Sequence, residues 1–184
     1  MSQLRIFLET DPTTPLSVQR EHPGITAALG EVGVNFGRWP GEAPPSGATQ
    51  EEILDAYRVD IERLVREKGY QAVDVIRILP DHPDRVALRH KFLAEHTHDE
   101  DEVRFFVAGS GLFALHIEHK VYEVTCGQAD LIGVPAGTRH WFDMGPQPFF
   151  IAIRLFSNPA GWVANLTGAD VAQRFPRFEP VQVD

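Results

Sequence analysis

The chain has 184 residues, 43% of them hydrophobic and 23% charged, with a formal net charge of −9 and a pI of about 5.3. That length buries a core without covalent staples, and the acidity disfavours nucleic acid or another polyanion as partner. The 17 basic residues are scattered, which argues against a lipid-binding surface, and no apolar run approaches the ~20 residues of a membrane span.

The start, MSQLRIFLETD, lacks the pattern of a secretion signal, and Leu4, Ile6 and Leu8 alternate with polar residues as in a half-buried strand. Residues 24–32 fit a short helix, residues 34–39 an extended piece, and the Pro/Gly-rich residues 41–48 a loop. Thr49 and Glu52 form a capping box for a helix over roughly residues 50–68. Ile53, Tyr57, Ile61, Leu64 and Val65 give that helix its apolar stripe, and Gly69 stands at its C-cap. Residues 71–79 have strand composition, and a shorter helix over residues 85–93 has Asp84 as its cap. From residue 102 the runs EVRFFVAG, GLFALHIE, KVYEVT, ADLIGVP, RHWFDM and PFFIAIRLF, separated by turn signals, predict an all-β barrel or sandwich. NPAGW is a loop, and residues 168–174 carry a weak helical pattern. One domain over residues 1–184 is expected, with its barrel core at about 70–158 behind a mixed α/β N-terminal extension. The single cysteine, Cys126, allows no internal disulfide and has no histidine base beside it. A soluble, cytoplasmic monomer follows as the expectation.

Within EHTHDEDEVRFF, His96 and His98 share one face of an extended chain, roughly 6.5–7 Å apart along it. Imidazoles from that separation reach one ion at about 2.0–2.1 Å each. Glu102 lies ~13 Å beyond His98 on a straight strand, so the polar residues 99–101 must bend for it to join. His140, behind Pro135 and Gly137 at the start of another strand, is the fourth candidate. Three neutral histidines and a carboxylate leave a divalent ion with formal charge +1 and, in an octahedron, two open positions. Histidines plus a carboxylate with open positions mark non-heme iron oxygenases, but zinc hydrolases use the same ligand types. Parity sends Arg104 and Phe106 inward with Glu102, and Phe142 inward with His140. An inward arginine needs an anion; the alternatives are a rim position or a carboxylate partner such as Asp99 or Asp101.

Read as H-x-H-x3-E-x6-G, HTHDEDEVRFFVAG resembles the first cupin motif, and Gly127 with P-x-G-x2-H at Pro135–His140 resembles the second. His90 and Met144 replace a glycine and an asparagine usual in that pattern. KFLAEHTHDEDEVRFFVAGSGLF, VPAGTRHWFDMG, YRVDIERLVREKGYQAVDVIRI and RLFSNPAGWVA are similar to the acireductone dioxygenases of methionine salvage, over about residues 50–165. The resemblance implies a mainly β fold with flanking helices, a cupin-type double-stranded β-helix or jelly-roll barrel. It implies one Fe(II) or Ni(II) per chain on His96, His98, Glu102 and His140, and cleavage of 1,2-dihydroxy-3-keto-5-methylthiopentene by O2. The iron form would give formate and 2-keto-4-methylthiobutyrate; the nickel form, formate, carbon monoxide and 3-methylthiopropionate.

The same resemblance gives Arg104 a role in forming the substrate dianion and makes Phe92, Phe142 and Arg154 pocket residues. Core packing for the phenylalanines and a salt bridge for Arg154 are the competing roles. Glu95 and Asp101 would assist metal loading, or else be solvated surface charge. Trp162 covers the pocket mouth or anchors the tail. No catalytic role is expected for His22, His82, His90, His116 or His119. Another metal-dependent cupin enzyme, an isomerase or decarboxylase, and a non-catalytic ligand-binding cupin are the alternatives.

Overall fold

The computed structural model describes residues 1–45 and 47–179, so residue 46 of the expected loop and residues 180–184 of the expected domain lie outside the described residues. In chain order, β1 (Gln3–Leu8) and β2 (Ser17–Gln19) pair and are followed by α1 (His22–Gly30) and β3 (Asn35–Arg38). Helices α2 (Gln50–Ala56) and α3 (Arg58–Lys68) lead to β4 (Ala72–Ile78) and α4 (Arg85–Leu93). Then come β5 (His96–Thr97), β6 (Glu102–Gly109), β7 (Gly111–Ile117), β8 (Lys120–Cys126), β9 (Asp130–Val134), β10 (Arg139–Asp143) and β11 (Phe150–Phe156). The tail adds β12 (Asn165–Leu166) and α5 (Val171–Arg174).

The strands form two antiparallel sheets, ordered β12-β5-β10-β7-β8-β1-β2 and β3-β9-β6-β11-β4. Period-2 alternation decides what each face meets. Phe106, Ile132 and Phe150 of one sheet pack with Phe113, Leu115 and Phe142 of the other, and α1 adds Ile25 and Leu29. The opposite face of the five-stranded sheet, with Val103, Phe105 and Ile153, is covered by Ile53, Tyr57, Ile61 and Leu64. Behind the seven-stranded sheet, Phe7, Ala114 and Trp141 meet Val171, Ala172 and Phe175 of the tail. The result is the expected mainly β jelly-roll barrel with flanking helices. Among the described residues no helix is long and apolar enough to cross a membrane.

Three expectations change. The helix over 50–68 is two helices, because the backbone leaves helical geometry at Tyr57 (φ −110°, ψ 17°). The Tyr57 ring is buried edge-on against Phe105, 4.6 Å between centroids, beside Trp39. The apolar spacing runs through the break, so the pattern alone reads as one helix. Asp84 occupies the N-cap of α4 but makes no side-chain capping bond. Finally, β1 and β3 are not set apart from the barrel: β1 pairs along β8 from Gln3↔Thr125 to Leu8↔Lys120, and β3 pairs with β9.

The capping box is present as expected. Glu52 N donates to Thr49 Oγ1 (3.2 Å) and Thr49 N donates to Glu52 Oε2 (2.7 Å). Gly69 ends α3 at φ 76°, a conformation in which a side chain is strained, with its N–H on the Val65 carbonyl. Thr49→Ala is expected to lower stability by about 1 kcal/mol, read as a lower urea midpoint with unchanged slope.

Candidate metal centre

His96 and His140 are register partners across β5 and β10, so two imidazoles from remote segments stand side by side on the barrel's inner face. His98 follows β5 on that face. The chain then bends at Asp99 and Glu100, with Asp99 accepting from Asn165 Nδ2 (3.0 Å) and Asp101 from Ala136 N (3.0 Å). That bend brings Glu102 back toward the histidines. One ligand-type atom from each of His96, His98, Glu102 and His140 lies within 4.8 Å of the others, and all four residues are buried.

Each imidazole is oriented the same way. Nδ1 of His96 donates to the Ala94 carbonyl (2.7 Å), Nδ1 of His98 to Val163 (2.7 Å) and Nδ1 of His140 to Thr138 (2.8 Å). A carbonyl only accepts, so the proton is held on Nδ1 and Nε2 is left for the centre, as in metal-ligating histidines. Nε2 of His140 and of His98 lie 2.9 and 3.2 Å from the same oxygen, Glu102 Oε2. Donors about 2.1 Å from a common ion and at right angles to each other are about 3 Å apart. The spacing and the donor set therefore fit a divalent metal.

Burial pushes the His96 imidazole down to about 4, with His140 acting in the same direction, so this ring is neutral near pH 7. Burial acts likewise on His98, but hydrogen bonds to Glu102 and the Val163 carbonyl outweigh it and raise its pKa. Burial also opposes ionisation of Glu102; Arg104, His140 and His98 together hold its carboxyl well below the usual carboxylate range.

Arg104 is buried on the same face. Its Nε lies 2.7 Å from Glu102 Oε1 but off the hydrogen-bonding line, and Arg104 Nε and Nη1 and Glu102 Oε1 have no aligned partner. Four rings enclose the guanidinium: Phe142 at 4.7 Å, Phe113 at 5.4 Å, Trp162 at 5.5 Å and Phe92 at 5.9 Å. A buried guanidinium with unpartnered N–H groups inside an aromatic cage is costly unless an anion meets it.

The chain matches the ARD/ARD' family over residues 42–164. Acireductone dioxygenase of Stenotrophomonas maltophilia (strain K279a) is 57% identical over 99% of both chains, and that of Pseudomonas savastanoi pv. phaseolicola is 58% identical over 97% of this chain and 99% of its own. A solved structure, acireductone dioxygenase from Bacillus anthracis with cadmium ion in active center, matches with a TM-score of 0.79 at 31% identity, covering 89% of this chain and 97% of that one. The chain belongs to the acireductone dioxygenase family. Membership makes it an enzyme, a metal-binding dioxygenase with a cupin fold, and decides against the non-catalytic binder.

The other expected positions of this family member divide. Phe92 and Phe142 face each other across 6.2 Å and Phe142 packs on Phe113 at 4.8 Å, so both phenylalanines stand at Arg104. Arg104 is neither at the rim nor paired with Asp99 or Asp101; its counter-ion is Glu102. Arg154 is the register partner of Arg104 but makes a two-pronged salt bridge to Asp74 (2.8 and 2.6 Å), beside Trp162. Trp162 lies 6.0 Å from the His98 ring, and its indole N–H donates to the Asp101 carbonyl (3.1 Å). It lines both a cleft of about 120 Å³ beside His98 and Asp99 and one of about 420 Å³ beside Asp74 and Arg154. Glu95 is not surface charge: it is buried, and it holds His116.

Sequence reasoning missed Phe113 and Gly111. Parity on β7 would have found Phe113, two residues from Gly111 on the inner face. A Cβ on Gly111 would stand 2.3 Å from Phe142 Cζ, so only glycine leaves room for that ring. Gly111→Ala is expected to cost about 1–3 kcal/mol in urea unfolding through this crowding, with metal content by elemental analysis unchanged.

Proposed function

We propose that the protein cleaves the acireductone 1,2-dihydroxy-3-keto-5-methylthiopentene with O2, using one Fe(II) or Ni(II) per chain held by His96, His98, Glu102 and His140. The observation that carries this reading is Arg104, a buried cation with unpartnered N–H groups beside the ligand carboxylate. When bound, the ion would supply Lewis acidity and a template for the vicinal oxygens of the enediol. Three neutral imidazoles and one carboxylate leave a divalent ion at +1, and Arg104 brings the local charge to +2. A substrate dianion matches that charge; a neutral ligand leaves it uncompensated in a dry site.

Arg104 stabilises the substrate dianion through its unpartnered N–H groups. Phe92, Phe113 and Phe142 exclude water, which strengthens that interaction. Arg154 adds positive charge at the outer edge of the pocket, and Trp162 closes the mouth. Asp101 and Glu95 help the site take up its ion, Asp101 by its charge at the mouth and Glu95 by the anchoring described below. The iron form yields formate and 2-keto-4-methylthiobutyrate, and the nickel form yields formate, carbon monoxide and 3-methylthiopropionate. The buried free thiol of Cys126 supports a cytoplasmic setting.

Protein loaded with iron alone or nickel alone is expected to consume acireductone only after O2 is admitted. Formate should appear in both cases and carbon monoxide with nickel only, measured by chromatography and gas analysis; an unchanged substrate spectrum would refute the assignment. Arg104→Ala is expected to retain one metal per chain and to lose about 10²-fold or more in kcat, as when a preorganised charge partner is removed.

A further inference from the structure

On the far side of β5 from the metal centre, a bridge buried at His116 and Glu95 and half-buried at Glu9 joins three segments remote in sequence. His116 Nδ1 lies 2.7 Å from Glu95 Oε2, and His116 Nε2 lies 2.6 Å from Glu9 Oε2. The imidazole thus stands between two carboxyl groups, with each ring nitrogen at hydrogen-bonding distance from one of them. Glu95 Oε1 takes a further bond from Thr167 Oγ1 (2.7 Å), and the Glu95 carbonyl accepts from Thr167 N (3.1 Å). His116 and Glu95 are 4% and 2% exposed, so the contact between them is screened little by solvent.

The bridge grips a weak element. β5 has two residues, and beyond the His140↔His96 pairing with β10 its other neighbour is the two-residue β12. The acceptor that orients the His96 ring is the carbonyl of Ala94, and that carbonyl belongs to the peptide group joining Ala94 to Glu95. Whatever fixes Glu95 fixes the plane of that peptide, and with it the direction of His96 Nε2. We propose that His116 is a positioning residue of the metal centre, orienting His96 by clamping Glu95 from behind the strand. The proposal rests on His96 being a ligand. It assigns Glu95 an anchoring role that a mere excess of negative charge near the site does not require.

Binding of Co(II) alone to the full chain, followed by calorimetric titration and by the visible spectrum, tests this. His116→Phe keeps a ring and removes both ring nitrogens; it is expected to weaken Co(II) binding about 10–100-fold and to alter the spectrum. His116→Asn places an amide N–H near the position of Nδ1 and is expected to restore affinity and spectrum. His116→Gln, whose amide reaches toward Glu9 instead, should follow the phenylalanine variant. Thr167→Val, at an exposed position, removes the second donor to Glu95 and should weaken binding in the same direction even if the phenylalanine variant folds poorly. Wild-type affinity in His116→Phe would overturn the proposal, since it leaves the Glu95 charge in place. So would an equal loss in the asparagine and phenylalanine variants in step with their melting temperatures. Failure of the ligand assignment itself would show separately, as unaltered affinity in His96→Ala, and would take this proposal with it.

Discussion

The carboxylate of Glu102, buried at the inner face of β6, is the constraint around which the site is arranged. An ionised carboxyl taken out of water without partners costs several kcal/mol, and this one is 2% exposed. Its compensation comes from three directions: Arg104 on its own strand, His140 across the barrel and His98 just before the bend. The alternation that fills the barrel with Phe106, Ile132 and Phe150 thus places two opposite charges on one strand face. They are tolerable there only together.

Arg104 illustrates how compensation and the proposed function are joined. Pairing with Glu102 at 2.7 Å neutralises the carboxylate, but the misaligned contact leaves N–H groups of the guanidinium free. The four surrounding rings offer their negative faces and no hydrogen-bond acceptor oxygen. An arginine fully satisfied by Glu102 would have nothing left for a substrate, and one without Glu102 would be too costly to bury. Gly111 belongs to the same design, since the space it leaves is what lets Phe142 stand over the guanidinium.

The four metal-centre residues were legible in the sequence because few side chains bind divalent ions and two of them stand two residues apart. Arg104 was legible because strand parity follows from counting once Glu102 is taken as inward. What stayed hidden depends on which segments meet. Glu9 and His116 are separated by 107 residues, and neither carries a local signal of the other. The salt bridge of Arg154 follows from a register, Arg154↔Asp74, that no spacing rule provides. The break at Tyr57 was hidden for the opposite reason: the burial pattern is continuous across it, while the backbone yields to the packing of one ring on Phe105.

The three carbonyls that orient the histidines are not equivalent. Those of Ala94 and Thr138 lie two residues before the rings they hold, so local backbone conformation sets His96 and His140. The carbonyl that holds His98 belongs to Val163, 65 residues away and next to Trp162. The segment that sets Trp162 against Phe156 and Arg104 therefore also fixes the direction of one imidazole. A shift of the Val163 backbone would release the Nδ1 bond of His98. The ring contacts of Trp162 and the direction of the His98 imidazole are in this way tied to a single stretch of backbone.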